Sequence, residues 1–133
     1  MATITIIDTP HVTVWYHTDK KIVHHQIHKF VSGPQFRQFL TAGAEVLEKY
    51  RASKWLSDDR GNSVLAKDDV EWSQRMWAPR AVRAGWKYWA IVQPGKVLAQ
   101  VAMERLVEEY SKQGVTAKFF SDVEQATKWL ESM

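Results

Sequence analysis

The chain opens with two short runs in which β-branched and aromatic residues dominate, Thr3 to Ile7 and Val12 to Tyr16, separated by Asp8, Thr9 and Pro10. Such residues suit a pleated surface and the separators suit a turn, so the pattern predicts two strands. A third run, Ile22 to His28, follows the polar stretch Thr18 to Lys21, which can close a hairpin. A two-residue turn at Asp19 and Lys20 sets Tyr16 opposite Val23, Val14 opposite His25 and Val12 opposite Ile27.

The apolar period then lengthens. Phe36, Phe39, Leu40, Gly43, Leu47 and Tyr50 recur at helical steps, and Ser32 with Gln35, together with Pro34, marks a capped helix start near Gly33. Lys54 to Ser57 reads as a central strand and Asp58 to Lys67 as a polar loop. Asp68 and Glu71 repeat the capping pattern ahead of Val70, Trp72, Met76 and Trp77, a helix that Pro79 breaks or restarts and Gly85 ends. Trp86 to Val92 hardly alternates, as expected of a strand covered on both faces. Val97 to Lys112 is amphipathic, with Ala99, Ala102, Met103, Leu106 and Tyr110 on one side and Gly114 as its stop. Val115 to Phe120 is the last strand. Ser121 and Glu124 predict a capping box for a terminal helix built on Val123, Ala126, Trp129 and Leu130.

Three strands followed by alternating helices and strands predict an α/β fold with a mixed sheet. Its N-terminal part is antiparallel, and right-handed βα units follow. Residues 1–133 suffice for one domain with its own core, and no repeat or linker divides them.

Composition narrows the chemistry. Cysteine is absent, which removes disulfides, thiolate metal sites and cysteine nucleophiles. The net charge of +3 comes from 18 basic and 15 acidic residues scattered along the chain, so nucleic acid is a disfavoured partner. No run approaches the ~18 apolar residues that span a bilayer, and the N-terminus lacks a basic segment followed by a long apolar one. The expectation is a cytoplasmic protein with no membrane span. Seven tryptophans are the compositional outlier.

Several stretches resemble the small bacterial SpoIIAA-like proteins of the STAS class: Leu56-Ser57-Asp58-Asp59-Arg60, Asp69-Val70-Glu71-Trp72, Pro79-Arg80, Ala84-Gly85, Ala90-Ile91-Val92 and Ala126-Thr127-Lys128-Trp129-Leu130. The likeness covers roughly Phe36 to Leu130. It implies a SpoIIAA-like sheet with helices mainly on one face, and a role in protein partnership or in nucleotide or lipid sensing. Anti-anti-sigma members carry a phosphorylated serine in an Asp-Ser-x-Gly-like stretch, whereas the matching loop here reads Asp58, Asp59, Arg60, Gly61, Asn62, Ser63.

Four surfaces are candidates for function. In the register above His11 faces His28 and Trp15 faces His24, with His17 on the same side. Opposed Cβ atoms ~5 Å apart would let His11 and His28 share a metal ion, against the plainer reading of a solvated, titrating face. Trp15, His17 and His24 on an uncovered sheet face form a candidate homodimer interface. Asp58, Asp59, Arg60 and Ser63 follow the carboxyl end of a parallel strand, where α/β folds place ligands, and make a candidate ligand or phosphorylation loop. Adjacent carboxylates in an extended segment point apart, so Asp58 and Asp59 are no automatic dyad. Trp72, Arg75, Trp77, Arg80 and Arg83, with Lys87 nearby, form a candidate anion or lipid pocket, or else core tryptophans beside solvated arginines. His25 is expected to point inward as a hydrogen-bonded core residue.

No nucleophile elbow, Walker loop or dinucleotide fingerprint is present. The expected function is therefore a non-catalytic regulatory or ligand-binding module, homodimeric and without cofactor, that meets a protein partner or a small amphipathic ligand. The alternatives are a lipid or small-molecule carrier, and a small metal-dependent hydrolase using Asp58 and Asp59 or the His11 and His28 face.

Overall fold

Six strands form one sheet in the order in which they occur along the chain. They are β1 (Thr3–Asp8), β2 (Val12–His17), β3 (Ile22–Ile27), β4 (Lys54–Asp58), β5 (Tyr88–Val92) and β6 (Thr116–Phe120). The computed structural model describes residues 2–62 and 64–133. β1, β2 and β3 pair antiparallel, and β3, β4, β5 and β6 pair parallel. This is the mixed α/β sheet that the order of patterns predicts. The hairpin register is also the predicted one, with Val12 on Ile27, Val14 on His25 and Tyr16 on Val23.

Each parallel crossover steps one strand in the same direction, so right-handed connections stack the intervening helices on one face. These are α1 (Pro34–Tyr50), α2 (Lys67–Trp72), α3 (Ala78–Ala84) and α4 (Val97–Ser111). Beneath them lie the inward rows Tyr16–Val23–Trp55–Trp89–Ala117 and Val14–His25–Ser57–Ile91–Phe119, read across the paired strands. α1 rests directly on Trp55, because a Cβ on Gly43 would lie 2.0 Å from the indole.

The last helix, α5 (Val123–Glu131), follows the final strand and folds back over the opposite face. Its Ala126 and Leu130 make a second small core with Ile22, Leu56, Ala90 and Val92, the residues that alternate with the first set. The expected bare face is thus corrected to a bare half: α5 covers the parallel strands as far as Ile22 of β3, and among the described residues no helix packs on the Trp15 side of β1 and β2.

Helix starts depart from the predicted caps. α1 begins after Gly33, whose φ of 61° is glycine's territory, and no side chain caps it. The Ser32–Gln35 box is not formed. The Gly33 N–H instead donates to Asp69 Oδ2 at 2.9 Å, and Arg37 Nε donates to Asp69 Oδ1 at 3.4 Å, tying α2 to the start of α1. Asp68 does not cap α2 either, since the helix has already begun at Lys67 and places Asp68 and Asp69 in its first turn, where helix-dipole attraction favours carboxylates. For α5 the cap is Asp122, one residue later than predicted, because its carboxylate accepts the Gln125 N–H at 2.8 Å.

Pro79 restarts the helix. A π-helical turn, Ser73–Trp77, joins α2 to α3, and Pro79 falls in the first turn of α3. A widened turn absorbs the missing proline N–H without ending the helical path. Gly85, at φ 116°, then terminates α3. Trp86 lies ahead of β5 and not within it.

Candidate functional site

The alternation of β4 decides what the sheet presents to its helical layer. Trp55 and Ser57 face inward, and the strand direction carries on to Asp59, whose N–H donates to the Val92 carbonyl at 3.0 Å. Leu56 and Asp58 face the other way. Over this row the side chains of β3, β4, β5, α1, α4 and the π-helical turn enclose a cavity of about 50 Å³. At ~10–15 Å³ per water that is room for a few waters or a small organic group.

Its walls are aromatic. Trp55, Trp77, Trp86 and Trp89 line it with Tyr110, Phe36 and Phe39. They pack against one another largely edge to face, with ring centroids 5.4 Å apart for Trp55–Trp77, 5.1 Å for Trp77–Trp86 and 5.5 Å for Trp86–Trp89. A buried indole N–H needs an acceptor, and three of these four have one. Trp55 Nε1 donates to His25 Nδ1 at 3.0 Å, Trp77 Nε1 to the Leu40 carbonyl at 2.6 Å, and Trp89 Nε1 to Ser57 Oγ at 2.7 Å. Trp86, 3% exposed, has none, and Asn62 Oδ1, on a residue 6% exposed, has no donor among the described residues. Both residues line the cavity. On the helical side the Tyr110 hydroxyl donates to Ser73 Oγ at 2.9 Å, and burial pushes the Tyr110 phenol up to about 12 despite that bond.

His25 and Asp59 form the polar end. His25 Nε2 lies 2.8 Å from Asp59 Oδ1 in a buried setting. An indole nitrogen can only donate, so His25 Nδ1 accepts from Trp55 and carries no proton. The imidazole is therefore the neutral Nε2–H tautomer, donating to the carboxylate. Gly61 brings the following loop hard against the end of β3, where a Cβ would come within 2.3 Å of the Ile27 carbonyl, and this sets Asn62 at the cavity.

No family model, curated protein or solved structure matches the chain.

The predicted loop divides as its geometry requires. Asp59 faces the cavity, whereas Asp58 points to the α5 face and holds Arg60 in a two-pronged pair at 2.9 and 2.7 Å. Burial works to raise the Asp58 carboxyl, but the Arg60 hydrogen bonds outweigh it and hold the group below its usual range. Ser63 lies outside the described residues. The arginine and tryptophan pocket is not assembled. Trp77 turns into the cavity, Trp72 is half-buried under the Arg37 guanidinium at 5.5 Å, Arg80 pairs with Glu48 at 2.9 Å, and Arg75 and Arg83 are exposed. Arg80, three residues after Trp77 along the helical path, is held by Glu48 instead of turning to the indole.

On the open half-sheet, His11 and His28 do meet across the strand pair, but their rings serve local hydrogen bonds. His11 Nδ1 is 3.0 Å from the Phe30 carbonyl and His28 Nε2 is 2.7 Å from Thr13 Oγ1. Among the described residues no three His, Cys, Asp or Glu side chains gather in a way that could hold a metal ion. His17 Nε2 and His24 Nδ1 are 3.1 Å apart, and the His24 ring packs on Trp15 at 4.8 Å. Burial, then the neighbouring His17, drives the His24 imidazole down to about 3. No helix of the described residues is long and apolar enough to cross a membrane.

Sequence reasoning turned His25 inward and set Asp58 and Asp59 on opposite sides without saying which faced the helices, and it missed Asn62, Ser57, Trp86 and Trp89 as parts of one site. The only signal for them was the two-residue step Trp55, Ser57, Asp59 on a strand whose opposite positions are apolar.

Proposed function

We propose that the protein binds a small molecule in the tryptophan-walled cavity above β4 and β5 and acts through that binding, without chemistry of its own. The observation that carries this is the pair of buried, unpartnered polar atoms on an otherwise apolar wall, Trp86 Nε1–H and Asn62 Oδ1. Leaving such groups unpaired costs on the order of 1–3 kcal/mol each, and a ligand or ordered water with one acceptor and one donor recovers it. His25 supports a binding role over a basic one, because both of its nitrogens are already engaged.

The test is a fragment screen read by ¹⁵N-correlated NMR of the indole and side-chain amide groups. A binding fragment moves the Trp86 indole N–H and the Asn62 amide together. Fragments that shift only surface signals, across a library at ~1 mM, would overturn the reading.

The regulatory use of that binding rests on the SpoIIAA-like resemblance, which also suggests a cytoplasmic homodimer. Supporting it is the uncovered half-sheet, where Trp15 remains half-buried beside His17 and His24. Native mass spectrometry tests this part: a dimer that Trp15→Ala dissociates supports it, and a monomer at all concentrations removes it.

A further inference from the structure

The cavity has a sign. Among the residues that line it, Asp59 and His25 are the ones that can carry charge. The Trp55 N–H fills the His25 Nδ1 lone pair at 3.0 Å, so a second imidazole proton has no room there. Asp59 consequently meets a neutral donor and no cation: the basic groups near it in sequence are spoken for or turned away, with Arg60 locked on Asp58. The carboxylate of Asp59, on a residue 3% exposed, has among the described residues one side-chain hydrogen bond, to Oδ1 from the neutral imidazole at 2.8 Å, and no cation beside it.

Two further features have the same preference, and a third sets what the rest of the molecule must carry. The indole faces carry negative potential and attract cations that come within about 6 Å. Asn62 Oδ1, on the same loop as Asp59, is an acceptor without a donor. Trp86 Nε1–H, on a residue that precedes β5 whereas Asp59 and Asn62 follow β4, is a donor and wants an acceptor. Together they describe a molecule with N–H donors at the Asp59 and Asn62 end, a short apolar body against the indoles, and room for an acceptor at the far end.

Building on the small-molecule reading above, we propose that the ligand is a small organic ammonium ion, a primary or secondary amine protonated at neutral pH, and that the site rejects carboxylates and phosphates. Asp59 is its counter-ion, and Asn62 takes a second N–H. An anionic ligand would face the Asp59 carboxylate with no cation on the wall to offset it.

The experiment compares three probes of one size: n-propylamine, n-propanol and propionate, each titrated into the ~10 mM range suited to so few atoms, with the Trp86 indole N–H as the readout. The amine should bind at least ~10-fold more tightly than the alcohol, and propionate should leave Trp86 unmoved. Asp59→Asn should reduce the amine to the level of the alcohol while propanol still binds. Asn62→Asp, which adds charge at the exit of the loop, should widen the preference and serves if Asp59→Asn fails to fold. Propanol binding as well as propylamine, or an amine preference that survives Asp59→Asn, would overturn the charge assignment and leave the cavity reading intact. Silence from all three probes overturns the assignment too, and the fragment screen then decides separately whether the cavity binds anything.

Discussion

The imidazole of His24 makes the fold's stability depend on acidity. Its pKa in the folded protein is about 3, against 6.5 for the free side chain, because burial disfavours its charged form and the neighbouring His17 adds to the effect. Between those two values the unfolded chain binds a proton that the folded protein does not, so stability falls as pH falls from about 6.5 toward 3. At pH 5 the loss from this group alone is about 2 kcal/mol, from the ratio of unfolded to folded protonation at 1.36 kcal/mol per unit. Against a typical total of 5–15 kcal/mol that is a large fraction. Urea unfolding at pH 7.5 and pH 5 measures it, and His24→Phe isolates it, since the substitution keeps an aromatic ring beside Trp15 and removes the titration. The wild-type protein should lose roughly 2 kcal/mol more than the variant over that interval. Equal losses in the two proteins would falsify the assignment of the acid sensitivity to His24.

Other perturbations test the packing around the cavity. Gly43→Ala sets a methyl 2.0 Å from the buried Trp55 ring, and overpacking of this kind should cost about 1–3 kcal/mol in thermal or urea unfolding, with a blue or red shift of Trp55 emission. Gly61→Ala meets the Ile27 carbonyl at 2.3 Å, where backbone cannot yield as a side chain would. The loop should move, taking Asn62 with it, and fragment-induced shifts of Trp86 should vanish while the sheet stays folded by circular dichroism. Asp122→Ala removes the cap that accepts the Gln125 N–H and should cost about 1 kcal/mol, with Asp122→Ser recovering most of it.

The sheet was legible because its information is local. Alternation in Val12–Tyr16 and Ile22–Ile27 fixed both the strands and their register, since a slip of one residue would have put Trp15 and His24 inside and Val14 outside. The helix caps were less legible, because Gly33 is satisfied by Asp69, thirty-six residues away, and no window around Ser32 contains that partner. Trp86 was misassigned to a strand for the same reason: its apolar neighbours extend the pattern of β5, but its ring is held by Trp55, Trp77 and Tyr110 from three other parts of the chain.

The tryptophan content itself takes on meaning only in three dimensions. Four of the seven tryptophans surround one small cavity, and each brings a buried N–H that leucine or phenylalanine would not. For packing alone that is a poor choice, since apolar side chains fill a core without a donor to satisfy. Three of the four donors are spent on fixing other polar groups: Trp55 sets the tautomer of His25, Trp89 orients Ser57, and Trp77 ties the π-helical turn to α1 through the Leu40 carbonyl. The same bonds leave Asp59 facing a neutral imidazole and leave Trp86 with its N–H unused. A wall that fixes its own polar groups so thoroughly and yet leaves one donor and one acceptor unpartnered beside a carboxylate met only by a neutral imidazole is arranged around something that supplies their partners.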